Sequence, residues 1–219
     1  MLVLPHPTLA TRSISSSSPY NYRGHIVDHE RNIELTFESG LERNALWLWL
    51  ASTAIVMIQE QPAAVEYFDD DGVLHHHTFD FLAVTHAGRR ALVDVKPAAL
   101  VERSNIVFVQ QLIREQYGTS LADRYLIRTE QHMHPDDVAD AKAVLRACWV
   151  PDPDADAKVS KLVQQTSGWL LIDDLVNASG LKAAGYNAVL RLIRARHLKT
   201  SANKPISYDA HVRRVPASH

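Results

Sequence analysis

The sequence has few of the residues that mark several large classes of protein. Its 219 residues include a single cysteine, Cys148, which cannot form a disulfide within the chain and therefore favours a reducing compartment. No apolar run approaches the roughly 20 residues that span a bilayer, and the N-terminus lacks the charged start and apolar core of a signal peptide. No glycine-rich phosphate loop of the Walker type occurs, so nucleotide hydrolysis is not expected. We expect a cytoplasmic protein without a membrane partner.

The net charge of −2 conceals an uneven distribution along the chain. Residues 1–154 carry 13 lysines and arginines against 21 acids, whereas residues 155–219 carry 10 against 4. An acidic body followed by a basic segment indicates two modules with different electrostatic roles. The basic segment is a candidate for contact with a phosphate backbone.

Composition and turn signals divide the chain into three parts. Residues 1–24 are rich in serine and proline, which predicts a flexible arm. The segment VPDPDAD (Val150 to Asp156) marks a boundary, so residues 25–150 are expected to form one domain and residues 151–219 another.

Residues 25–150 alternate between strand and helix patterns. The prediction is a helix after Ser39, then three strands in a meander, a helix over residues 100–117, a strand and a last helix. The meander consists of residues 64–68, residues 75–84 and the strand ALVDVK. This order predicts an α/β core built on a mixed sheet and flanked by helices.

Residues 151–219 predict a smaller helical domain. Helices are expected around residues 157–165, 173–178 and 182–196, with an Ala-Ser-Gly turn between the second and the third. A hairpin with strands HLKT and PISY follows. Three helices and a hairpin in this order are typical of a winged helix.

Three acids and one lysine carry the candidate chemistry. Asp94 and Lys96 alternate in VDVK and therefore point to the same face of their strand. Asp80 in TFDFLAV lies on the preceding strand, and Glu42 lies in the helix before the sheet. Carboxylates that cluster at a sheet end repel one another unless a divalent cation is bound, and Mg²⁺ prefers such oxygen ligands. A metal-activated water and a nearby lysine form a set that can hydrolyse a phosphodiester.

Each of these residues also has a purely structural interpretation. Glu42 follows Ser39 by three residues and could be the glutamate of a capping box, which would turn its carboxylate away from a metal. Asp80 and Asp94 could be solvated acids at strand ends, and Lys96 could lie over a sheet edge.

The order of the motifs resembles a known family. FDF followed by VDVK is similar to the core of the PD-(D/E)XK nuclease superfamily, with Phe79 in place of the usual proline. The series SGLERNALWLWLASTAIVMIQEQP, TFDFLAV, VDVKPAAL and YLIRTEQHMHP resembles TnsA, the endonuclease subunit of heteromeric cut-and-paste transposases. The resemblance covers roughly residues 37–149. It implies catalytic roles for Glu42, Asp80, Asp94 and Lys96, with the three acids as metal ligands; the family often has Gln or Glu where this chain has Asp94.

The resemblance implies a restriction-endonuclease-like fold and a Mg²⁺-dependent DNA endonuclease, with Mn²⁺ able to substitute. Such an enzyme cleaves the 5′ strands at transposon ends beside a TnsB-like transposase and a TnsC-like ATPase regulator. Two alternatives stay open. One is a restriction or repair nuclease of the same superfamily that acts alone. The other is a non-catalytic DNA-binding assembly protein.

Polar side chains of the C-terminal segment are candidates for DNA contact. Asn187, Arg191 and Arg194 fall on one face of the third helix, and basic residues follow in the wing and tail. These are Lys199, Lys204, Arg213 and Arg214. A partner-docking surface is an equal alternative for this face.

The three consecutive histidines, residues 75–77, invite a zinc hypothesis. Neighbouring strand residues face opposite sides, so three in a row cannot bind one ion. His75 and His77 share a face and could line a DNA groove.

Overall fold

The computed structural model describes residues 4–11, 22–201 and 204–216. The chain forms two compact units: Met1–Trp49 with Ala54–His134, and Leu50–Thr53 with Pro135–His219. The second unit therefore contains a helix, Pro135–Trp149, that precedes the predicted boundary after residue 150. Among the described residues, no helix combines the length and the apolar character that crossing a membrane requires.

The first unit contains eight strands and three helices among its described residues. The strands are β1 (Gly24–Asp28), β2 (Ile33–Phe37), β3 (Ile55–Glu60), β4 (Val65–Phe68), β5 (Leu74–His77), β6 (Phe81–Thr85), β7 (Arg90–Val95) and β8 (Arg124–Arg128). The helices are α1 (Gly40–Ala51), α2 (Ala98–Val101) and α3 (Ile106–Tyr117), and a 3₁₀ turn covers Glu130–His132. The last two residues of α1 are grouped with the second unit.

A four-stranded mixed sheet, in the order β3-β6-β7-β8, forms the centre of the first unit. The first three strands pair antiparallel, whereas β7 and β8 are parallel. Helices flank the sheet on both faces: Phe81 meets the Trp49 ring of α1 edge-on, and Leu92 packs near Ile113 of α3. The predicted α/β class with a mixed sheet flanked by helices is confirmed.

Two sequence predictions within this unit were wrong in detail. Residues 75–84 do not form one strand, because the chain bends at Asp80; β5 pairs with β4 in a separate hairpin and β6 pairs with β3 and β7. The helix predicted over residues 100–117 is interrupted at Asn105, whose φ of 55° is left-handed and cannot continue an α-helix.

Part of the predicted N-terminal arm is paired with the first unit. The His6 N–H donates to the carbonyl of Asn32 at 2.7 Å, and the Glu34 N–H donates to the carbonyl of His6 at 2.9 Å. The Thr8 hydroxyl donates to the buried carboxylate of Glu60. These contacts hold residues 4–11 along β2 and β3, whereas residues 1–3 and 12–21 of the predicted arm lie outside the described residues.

The second unit contains four helices and three short strands among its described residues. They are α4 (Pro135–Trp149), α5 (Pro153–Gln164), β9 (Leu170–Leu171), α6 (Ile172–Ser179), α7 (Ala183–Arg194), β10 (Leu198–Thr200) and β11 (His211–Arg214). The strands form a sheet in the order β10-β11-β9. Apolar side chains from α5, α6, α7 and the sheet share one core, at whose centre Val159, Ile172 and Val189 are fully buried.

The hairpin predicted after α7 has a different second strand. Its predicted segment, PISY, forms turns in which the Ile206 N–H donates to Asp140 of α4 at 2.9 Å. The returning strand is β11, where Val212 is fully buried and alternates with exposed neighbours. The Ala-Ser-Gly turn is confirmed, because Gly180 ends α6 with a φ of 66°.

We predict that Gly185→Ala destabilises the second unit. A Cβ at this position of α7 would lie 2.7 Å from the Ser179 hydroxyl oxygen. That hydroxyl is buried and already bonds the Val176 carbonyl and the Leu181 N–H. Overpacking of this kind costs about 1–3 kcal/mol, which a lowered urea midpoint measures.

Gly40→Ala is the matched control, because no atom lies within 4 Å of a Cβ added there. It should change the free energy of unfolding by less than about 1 kcal/mol. Equal midpoints for the Gly185 and Gly40 variants would contradict the close approach of α6 and α7.

Candidate functional site

Two of the predicted acids meet at the ends of neighbouring strands. Phe81 pairs with Val93 in the antiparallel register of β6 and β7, so Asp80 stands beside Asp94 at the next position. The Val95 N–H donates to Oδ2 of Asp80 at 2.6 Å. The sheet therefore brings together the two acids that the sequence placed on adjacent strands.

Asp80 is the electrostatic centre of this group. The pKa of its carboxyl is raised to about 7, mainly by burial and also by the nearby negative charges of Glu42 and Asp94. The hydrogen bond from Val95 and the positive charge of Lys96 oppose that rise. Glu42, Asp94 and Lys96 thus all lie close enough to Asp80 to act on its carboxyl.

Glu42 is fixed at the start of α1 by two hydrogen bonds. The Ser39 hydroxyl accepts the Glu42 N–H at 3.1 Å, and Oε2 of Glu42 accepts the Glu38 N–H at 2.7 Å. This arrangement caps the start of α1. The same carboxylate lies near enough to Asp80 to raise its pKa, so the cap does not remove its charge from the neighbourhood of Asp80; its role as a metal ligand stays a prediction.

Asp94 is held from two sides. Its residue surface is only 3% exposed. Nε2 of Gln110, on α3, donates to Oδ2 of Asp94 at 2.6 Å and to the Leu126 carbonyl at 3.2 Å. Nε2 of His77 lies 3.1 Å from both oxygens of Asp94. A nitrogen in that position stabilises an ionised carboxylate only as an N–H donor, and we assign the ring proton accordingly.

Sequence reasoning missed Gln110 and did not foresee the contact of His77. Gln110 lies four residues after Ile106 and three before Ile113 on the buried face of α3. A glutamine on an apolar helix face needs a polar partner. The position of Gln110 on that face was therefore the sequence signal for a buried hydrogen bond. No comparable signal marked His77, because its partner comes from a strand 17 residues later in the chain.

The other histidines have separate partners. His75 contacts Oδ2 of Asp69 at 2.7 Å and stacks on the Tyr67 ring. His76 is exposed on the opposite face of β5 and lies 3.8 Å from Glu66. The histidines therefore do not converge, in agreement with the argument against a shared zinc ion.

Lys96 continues the parallel pairing beyond β7. Its N–H donates to the Arg128 carbonyl at 2.9 Å, which fixes the backbone from which the side chain leaves. Pro97 then ends the strand, and the Ala98 N–H of α2 donates to Glu130 at 2.9 Å. The half-buried ammonium is close enough to lower the pKa of Asp80.

The donor set fits a hard divalent cation by its chemistry. Within the ranges 4–11, 22–201 and 204–216, no three His, Cys, Asp or Glu side chains are grouped tightly enough to enclose a metal by themselves. Mg²⁺ needs only one or two carboxylates, since water and substrate phosphate complete its shell. Oδ1 of Asp80 and the neighbouring acids supply hard oxygen donors and excess negative charge of the kind that Mg²⁺ neutralises.

The residues predicted to contact DNA divide into two groups. The Arg191 guanidinium forms an ion pair with Asp156 at 2.7 Å and donates to the Ala147 and Val150 carbonyls, and its side chain is only 10% exposed. Nη2 of Arg194 donates to the Leu50 carbonyl at 3.2 Å. These contacts direct both arginines into the second unit rather than toward a ligand. The exposed members of the prediction are Asn187, Lys199, Lys204, Arg213 and Arg214.

We predict a pH-dependent effect of Asp80→Asn on stability. Because the pKa is raised to about 7 in the folded protein, the native state holds a proton that the unfolded chain loses near pH 4. Wild-type stability should therefore decline as pH rises from about 4 to about 7. The Asn variant lacks this titration and should melt higher than wild type at pH 8, with the difference shrinking toward pH 4.

Asp70→Asn is the control for the thermal melts, because Asp70 is exposed in the β4–β5 turn. It should follow the wild-type melting temperature at every pH. A constant offset between wild type and Asp80→Asn across the pH range would contradict the raised pKa.

We also predict that Gln110→Leu lowers the free energy of unfolding by about 1–3 kcal/mol. The leucine keeps the approximate volume but removes the donor to Asp94 and Leu126 in a buried place. Urea unfolding measures the change. Gln111→Leu is the control, since exposed Gln111 donates to the exposed Glu115 side chain at 2.9 Å; an equal loss in both variants would contradict a special role of Gln110.

Comparison with known proteins adds no relative. No protein-family model matches the sequence, and no curated protein is significantly similar to it. The case for a function therefore rests on the motifs of the chain and on the geometry of the four residues around Asp80.

Proposed function

We propose that the protein is a Mg²⁺-dependent DNA endonuclease of the TnsA type, with a PD-(D/E)XK core. One observation carries the proposal: the register of β6 and β7 sets Asp80 beside Asp94 at the sheet end, where Glu42, Asp94 and Lys96 all act electrostatically on the Asp80 carboxyl. Three acids and a lysine around the end of one sheet match the chemistry of phosphodiester hydrolysis. The identity and order of the motifs favour the TnsA type within that class.

Each residue has a distinct task in this proposal. Asp80 and Asp94, with Glu42 nearby, would hold Mg²⁺, which would supply an activated water and a counter-charge for the phosphate. Lys96 orients the attacking water and stabilises negative charge on the phosphoryl oxygens. Val95 keeps Asp80 in place through its N–H. Hydrolysis breaks one P–O bond, and the water contributes its oxygen to the phosphate and a proton to the leaving strand.

The fold of each unit supports the proposal. In the first unit, the acids stand at the end of a mixed sheet between α1 and α3. In the second unit, the order α5-β9-α6-α7-β10-β11 matches the element order of a winged helix. The proposed function assigns the first unit to cutting. It assigns the second to contact with DNA or with a TnsB-like transposase and a TnsC-like ATPase.

A second candidate, the non-catalytic DNA-binding assembly protein, is favoured by the contacts of Asp94. Both of its oxygens already face donors, from His77 and from Gln110. A carboxylate has about four lone-pair sites, so metal binding is compatible with these contacts but has competitors. Catalytic activity distinguishes the two candidates.

The test is strand-specific nicking of transposon-end DNA with Mg²⁺ and the partner transposase. We expect wild type to cut the 5′ strand and Asp80→Ala and Lys96→Ala to fall to background, because the first removes a carboxylate that would hold the metal and the second removes the cation assigned to the phosphate. Denaturing electrophoresis of end-labelled strands measures the products.

Asp70→Ala serves as the matched control, since it removes an exposed acid from the same unit without touching the site. It should cut at the wild-type rate. Cutting by the wild type without any transposase would favour a stand-alone nuclease of the superfamily. Cutting by Asp80→Ala at the wild-type rate would reject the catalytic assignment.

A further inference from the structure

The solvent face of the three-stranded sheet in the second unit carries a row of two cations and an indole. Lys199 of β10 is directly opposite Arg213 of β11. Leu170 pairs with Val212 on the other side of β11, so the antiparallel register places Trp169 opposite Arg213. Opposite residues share a face of the sheet, and all three side chains are exposed. We call Lys199, Arg213 and Trp169 the cation–indole row.

Trp169 holds the guanidinium of Arg213 in place. The Cζ atom of Arg213 lies 4.8 Å from the centroid of the indole ring, a cation–π contact. The indole is 43% exposed although it is a large apolar group. A stacked guanidinium keeps its planar fork of donors directed outward and loses less rotamer freedom when it binds an anion.

The pairing of Lys199 with Arg213 costs stability in the absence of an anion. Like charges directly opposite on a sheet destabilise it, and Lys199 is directly opposite Arg213. An anion between Lys199 and Arg213 would replace this repulsion by two attractions. A face of this composition is therefore suited to a ligand with repeated negative charge.

The helix that would read a DNA groove has little free surface for that purpose. Five residues of α7 are buried, and Arg191 is paired with Asp156. Residues 155–219 nevertheless carry 10 cations against 4 acids. Most of the exposed cations of this segment lie on the strands and their connections. We therefore expect DNA to contact the sheet rather than α7.

We propose that the cation–indole row binds the sugar–phosphate backbone of DNA. Lys199 and Arg213 contact phosphate oxygens, and Trp169 positions the guanidinium without touching a base. The proposal rests on the proposed function only in taking DNA as the ligand. A polyanion fits the row better than a single acidic side chain, because the two cations stand on neighbouring strands and can each contact a phosphate.

The test is the affinity of the full chain for a fluorescent DNA duplex, measured by anisotropy with chelator present so that no strand is cut. Arg213→Gln should weaken binding about tenfold and reduce the slope of log affinity against log salt by about 0.9, because one phosphate contact is lost. Trp169→Ala should weaken binding several-fold with an unchanged slope, since it removes positioning but no charge.

Lys158→Gln is the matched control, because it removes an exposed cation of the same unit from α5. It should keep the wild-type affinity. Equal affinities of wild type and Arg213→Gln would overturn the proposal, as would an equal loss in the Lys158 control. If the row variants lose binding to an acidic partner protein and not to DNA, the ligand assignment is wrong. Because no cutting is required, failure of the nicking experiment leaves this result intact.

Discussion

The hydrogen bond from the Val95 N–H to the Asp80 carboxylate joins the two strand ends on which the candidate site depends. It links the bend before β6 to the last residue of β7. It also holds a carboxyl in a place where burial and two neighbouring acids raise its pKa. The Gln61 N–H donates to the Asp80 carbonyl at 2.8 Å, so side chain and backbone of this residue are both fixed. The contacts that fix the position of Asp80 therefore also keep its carboxyl in the surroundings that raise its pKa.

The two acids near Asp80 also accept hydrogen bonds from residues of the first unit. The Glu42 carboxylate accepts the Glu38 N–H and offsets part of the positive partial charge at the start of α1. Asp94 accepts from Gln110 and His77. Each acid thus has a structural donor in addition to its proposed place at a metal. Buried carboxylates with such donors remain in position without a cation, which makes the group preorganised for one.

Much of this arrangement followed from local sequence patterns, and the rest depended on contacts between distant residues. The alternation of Asp94 and Lys96 predicted a shared strand end, and the spacing of Ser39 and Glu42 predicted the cap. The bend at Asp80 was not predictable, because it arises where Val95 and Gln61 donate to the residue. Gln110 was missed for the same reason: periodicity assigns a residue to a face but does not name the carboxylate opposite it.

Exposure, rather than charge, decides which cations of the second unit can serve a ligand. Arg191 and Arg213 are the same residue type within the second unit, yet their surroundings differ. Arg191 is surrounded by Asp156 and two backbone carbonyls, so an anionic ligand would have to replace three favourable contacts. Arg213 is held by an aromatic ring, which orients the guanidinium but accepts none of its hydrogen bonds. Its donors therefore remain directed to solvent, and a phosphate can bind them without breaking an ion pair within the protein.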